Sequence, residues 1–343
     1  VNYTLKDRYM FTGTFRRDGS SRFGANNKFG NFPAASVGWL LTEEDFLKDN
    51  DVLSLLKLKA GFGITGNAEI PNYAQWGTVS VNTNQLYQGQ NYWYINNLQN
   101  SDLKWETTST VDVGLEYGFL RNRISGEIGF YNKYSKDLFL NVSVPASGGY
   151  TTFLGNVGKV RNTGVEFNIK SVNITNRDFT WTTDFNISWN KNKVLDVGTA
   201  GPDALQGEGD TRVIKGQPIG VNYLVKFLYV DPADGMPVYE QLDDNGNPVG
   251  ETKEYNADRD RQPVGHPNPD FVGGFNNTFT YKNWDFGFMF TFQIGGNIFD
   301  DAEKFQMNNV GTWSLKRNVL DRWQQPGDIT DVPRVSLGSS GIE

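Results

Sequence analysis

Residues 271–294 read FVGGFNNTFTYKNWDFGFMFTFQI, and their spacing decides the fold. In the second half, Trp284, Phe286, Phe288, Phe290, Phe292 and Ile294 alternate with Asp285, Gly287, Met289, Thr291 and Gln293. In the first half, Phe271, Gly273, Phe275, Asn277, Phe279 and Tyr281 alternate with Val272, Gly274, Asn276, Thr278 and Thr280. Strict period two marks strands with one apolar face. Only Lys282-Asn283 lies between the halves, the spacing of a two-residue hairpin. Tyr281 and Trp284 then sit side by side at the turn, where an interfacial aromatic girdle belongs.

Working outward, the period recurs. Tyr9, Phe11, Gly13 and Phe15 form one apolar row, and Ala35, Val37 and Trp39 another. Leu56, Leu58, Ala60, Phe62 and Ile64 oppose Lys57, Lys59, Gly61, Gly63 and Thr65. Val111, Val113, Leu115 and Tyr117 oppose Thr110, Asp112, Gly114 and Glu116. Further rows are Ile124, Ile128 and Phe130; Val165, Phe167 and Ile169; and Phe179, Trp181, Phe185, Ile187 and Trp189.

A soluble half-buried sheet alternates in the same way, so three further features select a membrane barrel. The apolar rows carry no charge, while the opposite rows carry Arg16, Lys57, Lys59, Asp112, Glu116, Glu127, Glu166, Lys170, Asp184 and Asp285. A Lys or Arg facing lipid at the midplane costs about 2–4 kcal/mol; a water-filled lumen tolerates it. Several strands reach the ~9–11 residues of a tilted crossing, against ~5–6 in globular proteins. Links also alternate in length. Short ones fall at 119–122, 171–177 and 282–283, with a compact one at 42–51 where Thr42 is read as the N-cap of a helical turn and Glu43, Glu44 and Asp45 lie at its positive end. Long ones fall at 17–29, 66–104, 135–161, 193–269 and from 297 onward. That is the pattern of periplasmic turns and extracellular loops.

The expected fold is all-β: a transmembrane antiparallel β-barrel, partial, with about nine strands of a larger plugged barrel and long extracellular loops. Residues 193–269 form one extracellular excursion, with a hairpin built from 219–230 and 237–239 around a turn at 231–235. Residues 297–343 form an extracellular segment before further strands, with helical turns between Phe299 and Trp323. Residues 1–4 and 338–343 read as cut ends, the latter without a strand.

Composition closes other routes. No run of about 20 apolar residues exists for a membrane helix. The 24 Phe, 15 Tyr and 9 Trp are too many for a disordered chain. With no Cys and one His, a disulfide framework, a thiolate site and a multi-histidine centre are excluded. A net charge of −7 argues against nucleic acid. No catalytic, cofactor-binding or metal-binding residue is expected. Gly61-Phe62-Gly63 with Gly66 resembles a nucleotide loop but lies inside a strand. Asp231, Asp234, Asp243, Asp244 and Asn245 lack the spacing of a calcium loop and read as solvated turns. His266, between Gly265 and Pro267, reads as a loop residue. Trp76, Tyr87, Tyr92, Trp93 and Tyr94 lie in one long loop: they are candidates for substrate or lid contact, or else fill the loop's own core.

Several runs carry a family resemblance: 15–24 (FRRDGSSRFG), 31–39 (NFPAASVGW), 58–67 (LKAGFGITGN), 103–107 (LKWET) with 112–114, 156–158 with 161–166, and 321–323 with 326–328. Together they cover almost the whole chain. The sequence resembles the SusC/RagA family of TonB-linked outer-membrane proteins. The resemblance implies a barrel of about 22 strands closed around an N-terminal plug. It implies a SusD-like lipoprotein as lid and TonB as energy source, coupled through the N-terminal part. The expected activity is active import of an oligosaccharide, or a peptide, across the outer membrane of a Gram-negative bacterium. Lys57, Lys59, Asp112, Glu116 and Glu127 would face the lumen and plug, and the apolar rows outer-membrane lipid. The plug, TonB box, early strands and final strands of the family pattern are not in this sequence. Competing readings are a passive porin-like channel and a surface β-protein for adhesion or glycan binding.

Overall fold

The computed structural model describes all residues except 49, 144–146, 148–151, 199–209, 309–312 and 336–343. The reading of 338–343 falls outside the described residues. The chain opens with β1 (Asn2–Leu5), β2 (Tyr9–Gly19), β3 (Phe29–Leu40) and β4 (Leu53–Asn67). A hairpin of β5 (Thr78–Tyr87) and β6 (Gln90–Asn97) precedes β7 (Glu106–Phe119), β8 (Ile124–Ser143), β9 (Thr152–Thr175) and β10 (Phe179–Asp196). Next come β11 (Thr211–Val213), β12 (Ile219–Val225), β13 (Phe227–Val230), β14 (Pro237–Leu242), β15 (Pro248–Thr252) and β16 (Arg261–Gly265). Finally β17 (Phe271–Tyr281) and β18 (Trp284–Ile294) form the hairpin read first in the sequence, with Tyr281 paired to Trp284 at its turn.

The main sheet has ten strands in the order β1-β2-β3-β4-β7-β8-β9-β10-β17-β18. It is an antiparallel meander, interrupted only by the β5–β6 hairpin and the β11–β16 excursion. The strand beyond the nine rows is β1, too short at four residues to show a period. One register row crosses the whole sheet. Leu5, Tyr9, Trp39, Leu58, Leu115, Ile128, Phe167, Ile187, Gly273 and Phe292 are each the direct partner of the next. No member is charged, and the polar atoms in the row are the Tyr9 hydroxyl and the Trp39 indole N–H. A slip of one residue between any two strands would move that strand's apolar set to the other face, so the row fixes the register throughout. No helix among the described residues is long and apolar enough to cross a membrane.

Two local expectations are corrected. Thr42 is not an N-cap: it lies inside a short 3-10 turn, Leu41–Glu43, which has no side-chain cap. Glu44 supplies the tie instead, accepting from Tyr9 Oη (2.6 Å), Trp39 Nε1 (2.9 Å) and Arg8 NH1 (2.9 Å). These partners hold the Glu44 carboxyl below its ordinary pKa, the Tyr9 hydroxyl foremost. Nor are residues 135–161 a long loop. Strands β8 and β9 run on to Ser143 and from Thr152, through register shifts around Leu138 where Asp137 takes a positive φ of 60°. A bulge resets the period, which is why alternation fades there in the sequence.

The excursion is largely as expected, with β13 and β14 pairing around the 231–236 turn. The run 219–230 is nonetheless split, β12 joining β11 and β16 while β13 joins β14 and β15. Helical turns occur at Asp301–Asn308 and Arg317–Asp321. The excursion's fully buried carboxylate is Asp260. It accepts from Arg259 (2.9 and 3.1 Å), Leu242 N (3.0 Å) and Asn256 N (2.7 Å), tying the end of β14 to the short helix Ala257–Asp260. The Arg259 guanidinium, aided by the two amides, pulls its pKa down from 3.8 to about 2. A depressed carboxylate stabilises the fold above its unfolded pKa and loses that contribution as pH falls from about 4 towards 2. Asp260→Asn, which removes the charge facing Arg259 and leaves one of the two amides facing an NH2 group with no acceptor, should cost about 2 kcal/mol locally. Hydrogen exchange at Leu242 and Asn256 in the full-length protein should rise about 30-fold at pH 7. Unchanged exchange would remove Asp260 from that role.

Candidate functional site

The charge-bearing face of β4, β7, β8 and β9 holds the chain's densest ionic cluster outside the loops. Period two places Lys57 and Lys59 on one side of β4, and register sets Lys57 opposite Glu116 and Glu116 opposite Glu127. Two carboxylates directly across a ladder repel. Lys59 Nζ resolves this by lying 2.6 Å from Glu116 and 2.8 Å from Glu127, while Lys57 reaches Glu116 at 3.7 Å. Lys59 can span β7 because its partner there is Gly114. A Cβ on Gly114 would stand 3.1 Å from Glu127 Oε1 and 3.4 Å from Lys59 Cε. Asp112 lies two residues along β7 from Gly114, opposite Gly61, and makes no ion pair among the described residues.

The structure therefore brings together Lys57, Lys59, Glu116 and Glu127, with Asp112 beside them. Lys57, Lys59, Asp112 and Glu127, with Tyr131 and Glu166, are among the residues that line a concavity of about 420 Å³ on this face. Glycine opposite a long polar side chain is the sequence signal that finds the cluster's geometry: Lys59 over Gly114, and Tyr131 over Gly164 with its hydroxyl 3.1 Å from Asn190 Oδ1. Lys59→Met should destabilise the sheet by about 1 kcal/mol, because the side chains are partly exposed and water screens them. Adding Glu127→Gln should recover most of that loss in a denaturant double-mutant cycle. Full additivity would mean that Lys59 does not bridge the pair.

The loop aromatics do not converge. Tyr92 and Tyr94 share one face of the β5–β6 hairpin, with ring centroids 6.4 Å apart. Trp93 points from the other face, paired to Val81 and 71% exposed. Trp76 precedes β5 and Tyr87 sits at the hairpin tip, both exposed.

The loop core is made instead by Phe23, Ile70, Ala74 and Leu103, with Trp105, Phe139 and Leu154 against them. The Phe23 ring centroid lies 5.0 Å from that of Trp105, in a tilted contact, and 6.1 Å from that of Phe139, on which it stacks. A Cβ on Gly24 would stand 1.7 Å from the Ser101 carbonyl oxygen, so only glycine permits the approach. Asn156 accepts from Lys104 N (3.0 Å) and donates to the carbonyls of Lys104 (2.7 Å) and Asp137 (2.8 Å). The runs at 15–24, 103–107 and 156–158 thus meet in one knot, whose role is to hold loops together.

The remaining candidates have structural partners. Asp231 and Asp234 both pair with Lys253, and Asp243 accepts from the amides of Asn245 and Asn247. His266 follows β16; its backbone carbonyl accepts from Asn297 N at 2.7 Å, while its ring Nδ1 is buried without a hydrogen-bond partner among the described residues.

Comparison with known proteins places this geometry. Residues 1–220 match the family model described as TonB dependent receptor-like, beta-barrel. TonB-dependent receptor P26 of Formosa agariphila is 33% identical over 351 residues, covering 97% of this chain and 35% of that protein. TonB-dependent receptor SusC of Bacteroides thetaiotaomicron is 35% identical over 358 residues, covering 99% of this chain and 34% of that protein. The chain thus spans about a third of the length of these curated relatives. Among solved structures, the RagAB peptide transporter superposes with a TM-score of 0.84 at 27% identity, over 97% of this chain and 37% of that one. The RagAB peptide importer in the open-open state gives 0.86 at 26%, over 99% and 37%.

Proposed function

This chain belongs to the SusC/RagA family of TonB-dependent receptor β-barrels, and from that premise we propose that it forms part of an active importer in the outer membrane of a Gram-negative bacterium. The observation that carries the reading is the division of the ten-stranded sheet: an unbroken uncharged row on one face, an ionic cluster on the other. The apolar face meets lipid and the ionic face lines a lumen. Lys57, Lys59, Asp112, Glu116 and Glu127 contact the plug, Asp112 and Glu166 offering uncompensated negative charge. The cargo is an oligosaccharide or a peptide, captured with a SusD-like lipoprotein and admitted when TonB acts on the plug. Both cargo types are suggested by relatives, one named SusC and the other titled a peptide transporter. Trp93 and Tyr94, exposed on opposite faces of their hairpin, suit contact with cargo or lid.

Uptake of labelled oligosaccharides and peptides by cells expressing the full-length receptor tests this. The expected result is saturable uptake that stops when the proton gradient is collapsed or tonB is deleted. Uptake that persists in both conditions would favour a passive channel and overturn the proposal.

A further inference from the structure

Above the apolar rows of β8, β9 and β10, the same outward parity continues into an exposed basic patch. Phe130, Val165 and Trp189 pair in one register row on the apolar face. Two residues further on, that face carries Asn132, Thr163 and Lys191; two more bring Tyr134, Arg161 and Lys193. Lys136 and Lys159 follow as a direct pair. Lys136, Arg161, Lys191 and Lys193 are exposed, and none forms an ion pair among the described residues. Lys159 is balanced by Asp196 at 2.7 Å.

The height of this patch follows from strand geometry. From Phe179 at the turn to Trp189 the strand rises about 33 Å along its length, or about 23 Å along the normal at a tilt near 45°. That matches the apolar band of about 25 Å, so Trp189 marks its far edge and Lys191 and Lys193 stand at headgroup level. Arg161 and Lys193 are directly opposed, an arrangement that repels unless an anion lies between them. In a chain of net charge −7 such a concentration of cations needs a reason. Phosphate oxygens accept from Arg and Lys together, with charge-assisted geometry.

We propose that Lys136, Arg161, Lys191 and Lys193 bind the phosphate-bearing headgroup of an anionic outer-leaflet lipid, whose acyl chains lie on the apolar face below. The site commits to a lipid and not to free phosphate, because the cations continue the bilayer-facing rows without a break. It rests on the apolar face meeting lipid. The two readings fail separately: a receptor that tolerates Arg at position 115 would sink the lipid face itself, whatever happens at the patch.

The test uses the full-length receptor in detergent, titrated with phosphorylated lipid A, dephosphorylated lipid A and inorganic phosphate, with bound species counted by native mass spectrometry. Wild type should bind phosphorylated lipid A at least tenfold more tightly than the dephosphorylated form, with an advantage that shrinks as salt is raised. A variant combining Lys136→Gln, Arg161→Gln, Lys191→Gln and Lys193→Gln should lose that preference. The charge-preserving variant Arg161→Lys with Lys191→Arg should keep most of it. Equal binding of both lipids by wild type, or an unchanged preference in the Gln variant, would overturn the proposal. So would inorganic phosphate displacing the lipid at equal concentration. Should the Gln variant fail to assemble, the lipid preference and salt dependence of wild type still decide.

Discussion

Phe23→Ala in the full-length receptor should loosen the loops packed on Phe23 by about 3–5 kcal/mol while leaving the ten-stranded wall assembled. Phe23 is fully buried at the centre of the knot, as is Leu103, and the knot's other members come from four separate stretches of chain, at 68–74, 105, 139 and 154. Removing the ring empties the space between Trp105 and Phe139, and the tight contact of Gly24 with the Ser101 carbonyl leaves little room for collapse. Hydrogen exchange over residues 68–77 and 98–105 should then approach that of an open loop, and protease should cut there first. Exchange in β7 and β8 below should hardly change. A variant whose loops stay as protected as wild type would show that the knot is held by its polar ties, such as Arg22 to Asn72 and Gln75 to Ser21, and not by the aromatic core. Because these loops are the proposed capture surface, cargo binding should weaken together with loop protection.

Leu115→Arg should cost the barrel about 2–4 kcal/mol. Leu115 sits four residues from the Phe119 end of β7 in the row that crosses every strand, between Leu58 and Ile128. An Arg there faces hydrocarbon, too far from either interface to reach water fully. Asp112→Asn, three residues away on the opposite face, should cost much less. The comparison is read by urea unfolding of the full-length receptor in phospholipid vesicles. Equal effects from the two substitutions would mean that the faces are not divided between lipid and lumen, and the membrane reading would fall with them.

Much of this was legible in the chain. The hairpin 271–294, the pairing of Tyr281 with Trp284 at its turn, and the placing of Lys57, Lys59 and Glu116 off the apolar rows follow from alternation within each strand. Less was legible where the rule changes. Around Asp137 a bulge shifts the phase, so the far ends of β8 and β9 look like loop. The short β1 carries too few residues to display a period.

What the sequence alone determined is the face each strand residue takes and hence the kind of wall the strands build. Parity is local, a property of residues two apart, and a single charge in the wrong row is costly enough in lipid to be absent. The tertiary structure decided which distant residues meet. Lys59 finds both Glu116 and Glu127 only because register sets Gly114 between them. Phe23 finds Leu103 and Phe139 only because bulged strands and a glycine contact draw three stretches together. Arg161 and Lys193 become neighbours on the outer surface only once β9 and β10 pair. These contacts depend on register between strands far apart in the chain, which the spacing of residues within one strand does not contain.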